Sequence, residues 1–154
     1  MPEKPEIVIS DTSCFIILEK VGELDLLQKV YSEIFTTKEV AKEFGEQLPE
    51  WVKIQNVEIK GLEKVILADL DDGEASTIAL ALKISENVLI ILDDLKARKT
   101  AKSLGLRVTG TLGVIVKAHK EGVIDNAAEI VKRIQREDFR ISQKIIDLIL
   151  KEIK

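Results

Sequence analysis

Apolar positions along the chain follow two periods. Short unbroken runs alternate with longer stretches in which apolar residues return every three or four positions. The runs IVIS (7–10), EIFTT (33–37) and VLIIL (88–92) each predict a short buried strand. VLIIL is apolar on both faces, as the centre of a parallel sheet requires. A looser alternation in WVKIQNVEI (51–59) and a short piece within LRVTGT (106–111) predict two more strands. Helical periods fill the intervals: 12–20, 22–31, the stretch after strand two, 60–68, about 71–85, 94–104, 112–121, 126–136 and 142–153. Thr36 with Glu39 predicts a capping box, and Val40, Ala41, Phe44 and Leu48 form the stripe of the helix behind it. Ala75, Ile78, Ala79 and Leu82 mark the inner face of the long helix. In the last helix, Ile145, Ile149 and Ile153 share a stripe, with Ile146 and Leu150 beside it.

Strands alternating with helices imply right-handed crossovers and a mainly parallel sheet covered on both faces. The expected fold is α/β, a three-layer α/β/α arrangement around five strands. The whole chain, 1–154, reads as one domain, without repeats or a dividing linker. The helices from about 126 to 153 either pack on it or form an interface. In such sheets a ligand lies beyond the carboxyl ends of the strands, where the winding reverses. The residues at the strand endings therefore matter most.

Composition narrows the classes. A chain of 154 residues with a net charge of −4 can bury a core but has no general electrostatic attraction for nucleic acid. Local basic clusters remain possible phosphate contacts. The single cysteine, Cys14, rules out a disulfide framework and a thiolate metal cage, and it sits in an apolar run suited to packing. MPEKPEI lacks the apolar core of a signal peptide, and no apolar run reaches membrane-spanning length. A cytoplasmic protein with no membrane partner is expected.

Asp11 stands at the exit of strand one. A carboxylate there borders low dielectric and needs a cation, a donor or a proton. It can equally cap the helix that begins with Thr12 and Ser13. Asp93 and Asp94 end VLIIL. In a strand order 3-2-1-4-5 the two endings are neighbours, and three carboxylates meet at one edge. Like charges so placed repel unless a divalent cation lies between them. Oxygen ligands without thiolate or a second histidine favour Mg²⁺ or Mn²⁺ over zinc. Glu43 and Glu74 stand near the same edge; the first also reads as a surface acid, the second as a cap with Asp71. Lys96, Arg98, Lys99 and Lys102 form a basic helix face that either follows an RNA backbone or balances nearby acids. His119 and Trp51 read as packing residues, and Gly110 as a turn or a close backbone approach. A phosphatase of the Asp-x-Asp kind is disfavoured, since Ser13 occupies the second position.

SDTS (10–13), VAKEF (40–44), DDGEASTIALA (71–81), LDDLKARKTAKSLGLRVTGTLGVIVKAHKEG (92–122) and FRIS (139–142) occur in this order over most of the chain. In these pieces the chain resembles the PIN-domain family of metal-dependent ribonucleases, in particular its VapC-like toxin branch. The resemblance implies a strand order 3-2-1-4-5 and four acids: Asp11, Glu43, Glu74 (where many relatives have aspartate) and one of Asp93 and Asp94. Thr12 and Ser13 match the hydroxyl positions that orient the first acid. The implied activity is Mg²⁺- or Mn²⁺-dependent endonucleolytic cleavage of RNA, by the toxin of a toxin–antitoxin pair. An antitoxin protein and a second copy of the chain are the implied partners. The alternative is a degenerate PIN domain that binds RNA or protein without cutting.

Overall fold

The structure is a computed structural model and describes residues 6–84, 86–138 and 141–153. Five strands, β1 (Ile7–Ser10), β2 (Glu33–Thr37), β3 (Val52–Gln55), β4 (Val88–Ile91) and β5 (Arg107–Thr109), form one sheet in the order β3-β2-β1-β4-β5. Every pairing in it is parallel. This is the expected α/β order. The chain begins in the middle, winds outward to β3, then crosses back to β4 beside β1. Winding reverses between β1 and β4, so the crevice beyond their carboxyl ends is the place for a ligand.

Helices cover both faces: α1 (Thr12–Lys20), α2 (Leu26–Val30), α3 (Lys38–Phe44), α4 (Leu62–Ile66), α5 (Asp72–Ile84), α6 (Leu95–Ser103), α7 (Thr111–Lys120), α8 (Ala127–Glu137) and α9 (Gln143–Glu152). Strand alternation divides the core. Val8, Ile34, Leu89 and Ile91 face one layer, where Phe15, Leu18, Ile115, Ile130 and Ile134 from α1, α7 and α8 meet them. Ile9, Ile90 and Leu92 face the other layer, against Ile78 and Ala79 of α5 and Ala97 and Ala101 of α6. The alanines let α5 and α6 lie close to the sheet. Each fully buried Ile or Leu contributes about 1.5–3 kcal/mol. Among the described residues, no helix is long and apolar enough to cross a membrane.

Four local expectations are corrected. Thr37, not Thr36, caps α3, accepting from Val40 N at 3.1 Å. Thr36 belongs to β2 and donates its hydroxyl to Ser10 O at 2.8 Å. The helix therefore starts one residue later, and Glu39 stands at its second position, too early for a capping box. The strand expected over 51–59 stops at Gln55, because its partner β2 ends at Thr37, opposite Gln55. The helices expected over 22–31 and 60–68 shrink to α2 and α4, each five residues long. In α9, Ile146 is buried while Ile145 is 49% exposed, so the inward stripe runs through Ile146, Ile149, Leu150 and Ile153. Ser85 and the Phe139–Arg140 part of FRIS lie outside the described residues.

Thr37 does two things at once. Besides capping α3, its hydroxyl lies 2.7 Å from that of Ser76 on α5. Thr37→Ala is expected to cost roughly 1–2 kcal/mol, and Thr37→Ser much less. Urea unfolding should show it as a lower midpoint at unchanged slope.

Candidate active site

Asp11 follows β1 at the winding reversal. Its backbone N–H donates to Ile91 O at 3.1 Å, which pins it between β1 and β4. It occupies the N-cap position of α1, yet its side chain makes no cap hydrogen bond. The residue is 4% exposed, and its Oδ1 has no hydrogen-bond partner; nor does the buried Thr12 Oγ1 beside it. The Asp11 carboxyl is pushed up to about 7, chiefly by burial and also by the charges of Asp71, Glu74 and Glu43. The Thr12 N–H works against them. A buried carboxylate with one oxygen left unpaired is a site waiting for a proton or a cation.

Glu43 comes from α3. Gly73, in the first turn of α5, shows where it meets Asp11. A Cβ built on Gly73 would stand 3.0 Å from Glu43 Oε2, 3.1 Å from Asp11 Oδ1 and 3.2 Å from Thr12 Oγ1. Three polar atoms from two elements thus converge on one bare backbone position. The Thr37–Ser76 hydroxyl pair ties α3 to α5, and Ser76 and Thr77 donate to Gly73 O at 3.0 and 2.7 Å. Those bonds hold the Gly73 turn against Asp11.

Glu74 and Asp71 form a reciprocal capping box: Asp71 N donates to Glu74 Oε1 at 3.2 Å, and Glu74 N to Asp71 Oδ1 at 2.8 Å. Partial burial raises the Glu74 carboxyl. The charges of Asp71, Asp94 and Glu43 add to that, and the Asp71 N–H opposes it. Asp94 caps α6, its Oδ2 accepting from Ala97 N at 2.9 Å. Asp93 turns instead to Thr111, at the start of α7. Ser13 is partly buried in the first turn of α1. On α6, Lys96, Lys99 and Lys102 are exposed, with Lys96 Nζ 3.6 Å from Asp69 Oδ2. Arg98 is partly buried and donates to Leu92 O at 3.3 Å.

Among the described residues, no three Asp, Glu, His or Cys side chains already stand close enough to hold an ion. The donors nevertheless fit a hard divalent cation: Asp11 Oδ1 and Thr12 Oγ1 have no partner, and Glu43 Oε2 converges with them on Gly73. A third carboxylate has to swing in. Glu74 can do so by giving up one exposed capping bond.

Gly73, Thr37, Ser76 and Thr111 join the site without having been expected there. Gly73 left a signal: glycine inside a helix costs about 1 kcal/mol relative to alanine. Gly73 lacks the positive φ that would justify it, so the gain must be space. The hydroxyl pairs left no such signal, since serine and threonine are ordinary at helix starts.

The sequence model of a family described as PIN domain matches residues 7–154. No curated protein matches the chain significantly. PIN domains are in general nucleases and typically use divalent metals. With a match over nearly its whole length, and an all-parallel 3-2-1-4-5 sheet whose central strands end in acids, this chain belongs to the PIN-domain family.

Proposed function

We propose that this protein is a Mg²⁺- or Mn²⁺-dependent endoribonuclease, acting as the toxin of a toxin–antitoxin pair. The observation that carries the reading is the convergence of Asp11, Glu43 and Thr12 on Gly73, with a buried Asp11 oxygen left without a partner. Asp11, Glu43, Glu74 and one of Asp93 and Asp94 are the ligands. Thr12 and Ser13 orient the first of them. A divalent ion held there would neutralise charge at the scissile phosphate and lower the pKa of a bound water. The acids themselves bind and orient, and one of them takes up the water's proton. Lys96, Lys99 and Lys102, exposed on the helix that follows Asp94, follow the RNA backbone. The antitoxin and a second copy of the chain are protein partners of this reading, and exposed Leu62 and Val65 on α4 and Leu148 on α9 are apolar surface available to them.

The loose spacing of the acids favours a second reading, a degenerate PIN domain that binds RNA without cutting it. Incubation of purified protein with RNA and Mn²⁺ separates the two. Cleavage that requires metal, and that falls on the order of a hundredfold in Asp11→Asn, is expected for the enzyme. Binding without cleavage at any metal concentration selects the degenerate reading, and cleavage that persists in EDTA rejects both.

A further inference from the structure

Between Leu92 and Gly113, the adjacent Asp93 and Asp94, Arg98, Gly110 and Gly113 have a joint purpose that the acid cluster does not explain. Leu92 extends β4 by donating its N–H to Thr109 O at 2.9 Å, and its side chain enters the layer of α5 and α6. Alternation continued past the strand sends Asp93 to the opposite layer and Asp94 toward α5. The charges agree: that of Asp94 is felt at Glu74, that of Asp93 at the buried Cys14 thiol.

Asp93 commits both carboxylate oxygens to one residue. Oδ1 accepts the Thr111 N–H at 2.7 Å, and Oδ2 accepts the Thr111 hydroxyl at 2.6 Å. Thr111 is 3% exposed and opens α7. Gly110 fills the remaining gap. A Cβ there would stand 2.7 Å from Arg98 Nη1 and 2.9 Å from Asp93 Oδ1. Arg98 donates from that position to Leu92 O. At Gly113 a Cβ would collide with Thr109 Oγ1. Both glycines therefore let the start of α7 press against the ends of β4 and β5.

We infer that Asp93 is a positioning residue and Asp94 the metal ligand: the Asp93–Thr111 clamp, closed over Gly110 by Arg98, fixes the end of β4 so that Asp94 faces the acid cluster. Asp93 has both oxygens held by short charge-assisted bonds at the start of α7, so turning to the acid cluster would break two of them, whereas Asp94 is held by a single cap bond. Arg98 then serves the protein backbone, not RNA. The inference rests on the proposed metal centre.

Calorimetric titration of the full chain with Mn²⁺ tests it, alongside RNA cleavage. Asp94→Asn keeps a good helix cap and should lose about tenfold or more in Mn²⁺ affinity. Asp93→Asn can still accept the Thr111 N–H and donate to its hydroxyl, so its affinity should stay near wild type. Asp93→Ala should fall about tenfold, between wild type and a full loss. Should Asp93→Ala not fold, Thr111→Val against Thr111→Ser makes the same comparison, with only the serine rescuing. Asp93→Asn binding as poorly as Asp94→Asn would make Asp93 a ligand and overturn the assignment. Alanine or valine variants that bind like wild type would overturn the clamp. A wild-type chain that takes up no Mn²⁺ would overturn the metal centre itself, and this assignment with it.

Discussion

Asp11→Asn is expected to make the metal-free protein more stable at neutral and alkaline pH while abolishing metal-dependent RNA cleavage. The wild-type carboxyl is 4% exposed and pushed up to about 7 from an ordinary value of 3.8. Between those values the folded protein holds a proton that the unfolded chain has released. Stability therefore falls as pH rises through that window, and the full penalty stands above it. Its upper limit is roughly 4 kcal/mol, and each kcal/mol corresponds to about 2–4 °C in a chain of this size. Asparagine carries no charge to desolvate, so the variant escapes the penalty. Thermal melts in EDTA from about pH 5 to pH 8 should show the wild-type transition sliding downward and the variant holding nearly level. Mn²⁺ should close most of that gap. A hundredfold excess over the dissociation constant adds about 2.7 kcal/mol to a protein that binds it and little to one that cannot. Parallel pH profiles for the two proteins would show that burial of this charge is not costly.

Gly73→Ala is expected to fold, at some cost in stability, and to lose most of its activity. The residue lies in the first turn of α5 with ordinary helical backbone, so alanine fits the conformation and gains up to about 1 kcal/mol of helix propensity. The new methyl, however, would stand 3.0–3.2 Å from Glu43 Oε2, Asp11 Oδ1 and Thr12 Oγ1. Glu43 is exposed and can swing away; Asp11 and Thr12 are buried and cannot move far. Opening the cluster in this way should lower cleavage on the order of a hundredfold and weaken Mn²⁺ binding in step. A variant as active as wild type would mean that the reaction takes place somewhere other than at Gly73.

Much of the scaffold could be read directly. IVIS, EIFTT and VLIIL became β1, β2 and β4 within one residue, because strands buried on both faces leave unbroken apolar runs. The edge of the sheet was less legible. Nothing local in 51–59 says where β3 stops, since that limit is set by the length of β2 beside it. Thr36 and Thr37 are chemically equivalent neighbours, and only the pleat of β2 decides which one turns inward to Ser10 and which one caps α3.

The acids divide in the same way. From spacing alone, Asp11, Asp71, Asp93 and Asp94 are all aspartates beside a helix start, and each could be a cap. What separates them is whether an N–H lies within reach. Asp71 finds Glu74, Asp94 finds Ala97 and Asp93 finds Thr111, whereas Asp11 makes no cap bond and its Oδ1 is left without a partner. The periodicities, the two-sided core and the supply of carboxylates near strand ends depend on residues a few positions apart, so they were legible along the chain. That Asp11 and Glu43 meet at Gly73, and that Asp93 and Asp94 take different partners, follows only from the folded arrangement. Those contacts join segments some thirty residues apart in the chain, and they exist only once the parallel sheet has fixed how far each helix start lies from its neighbour.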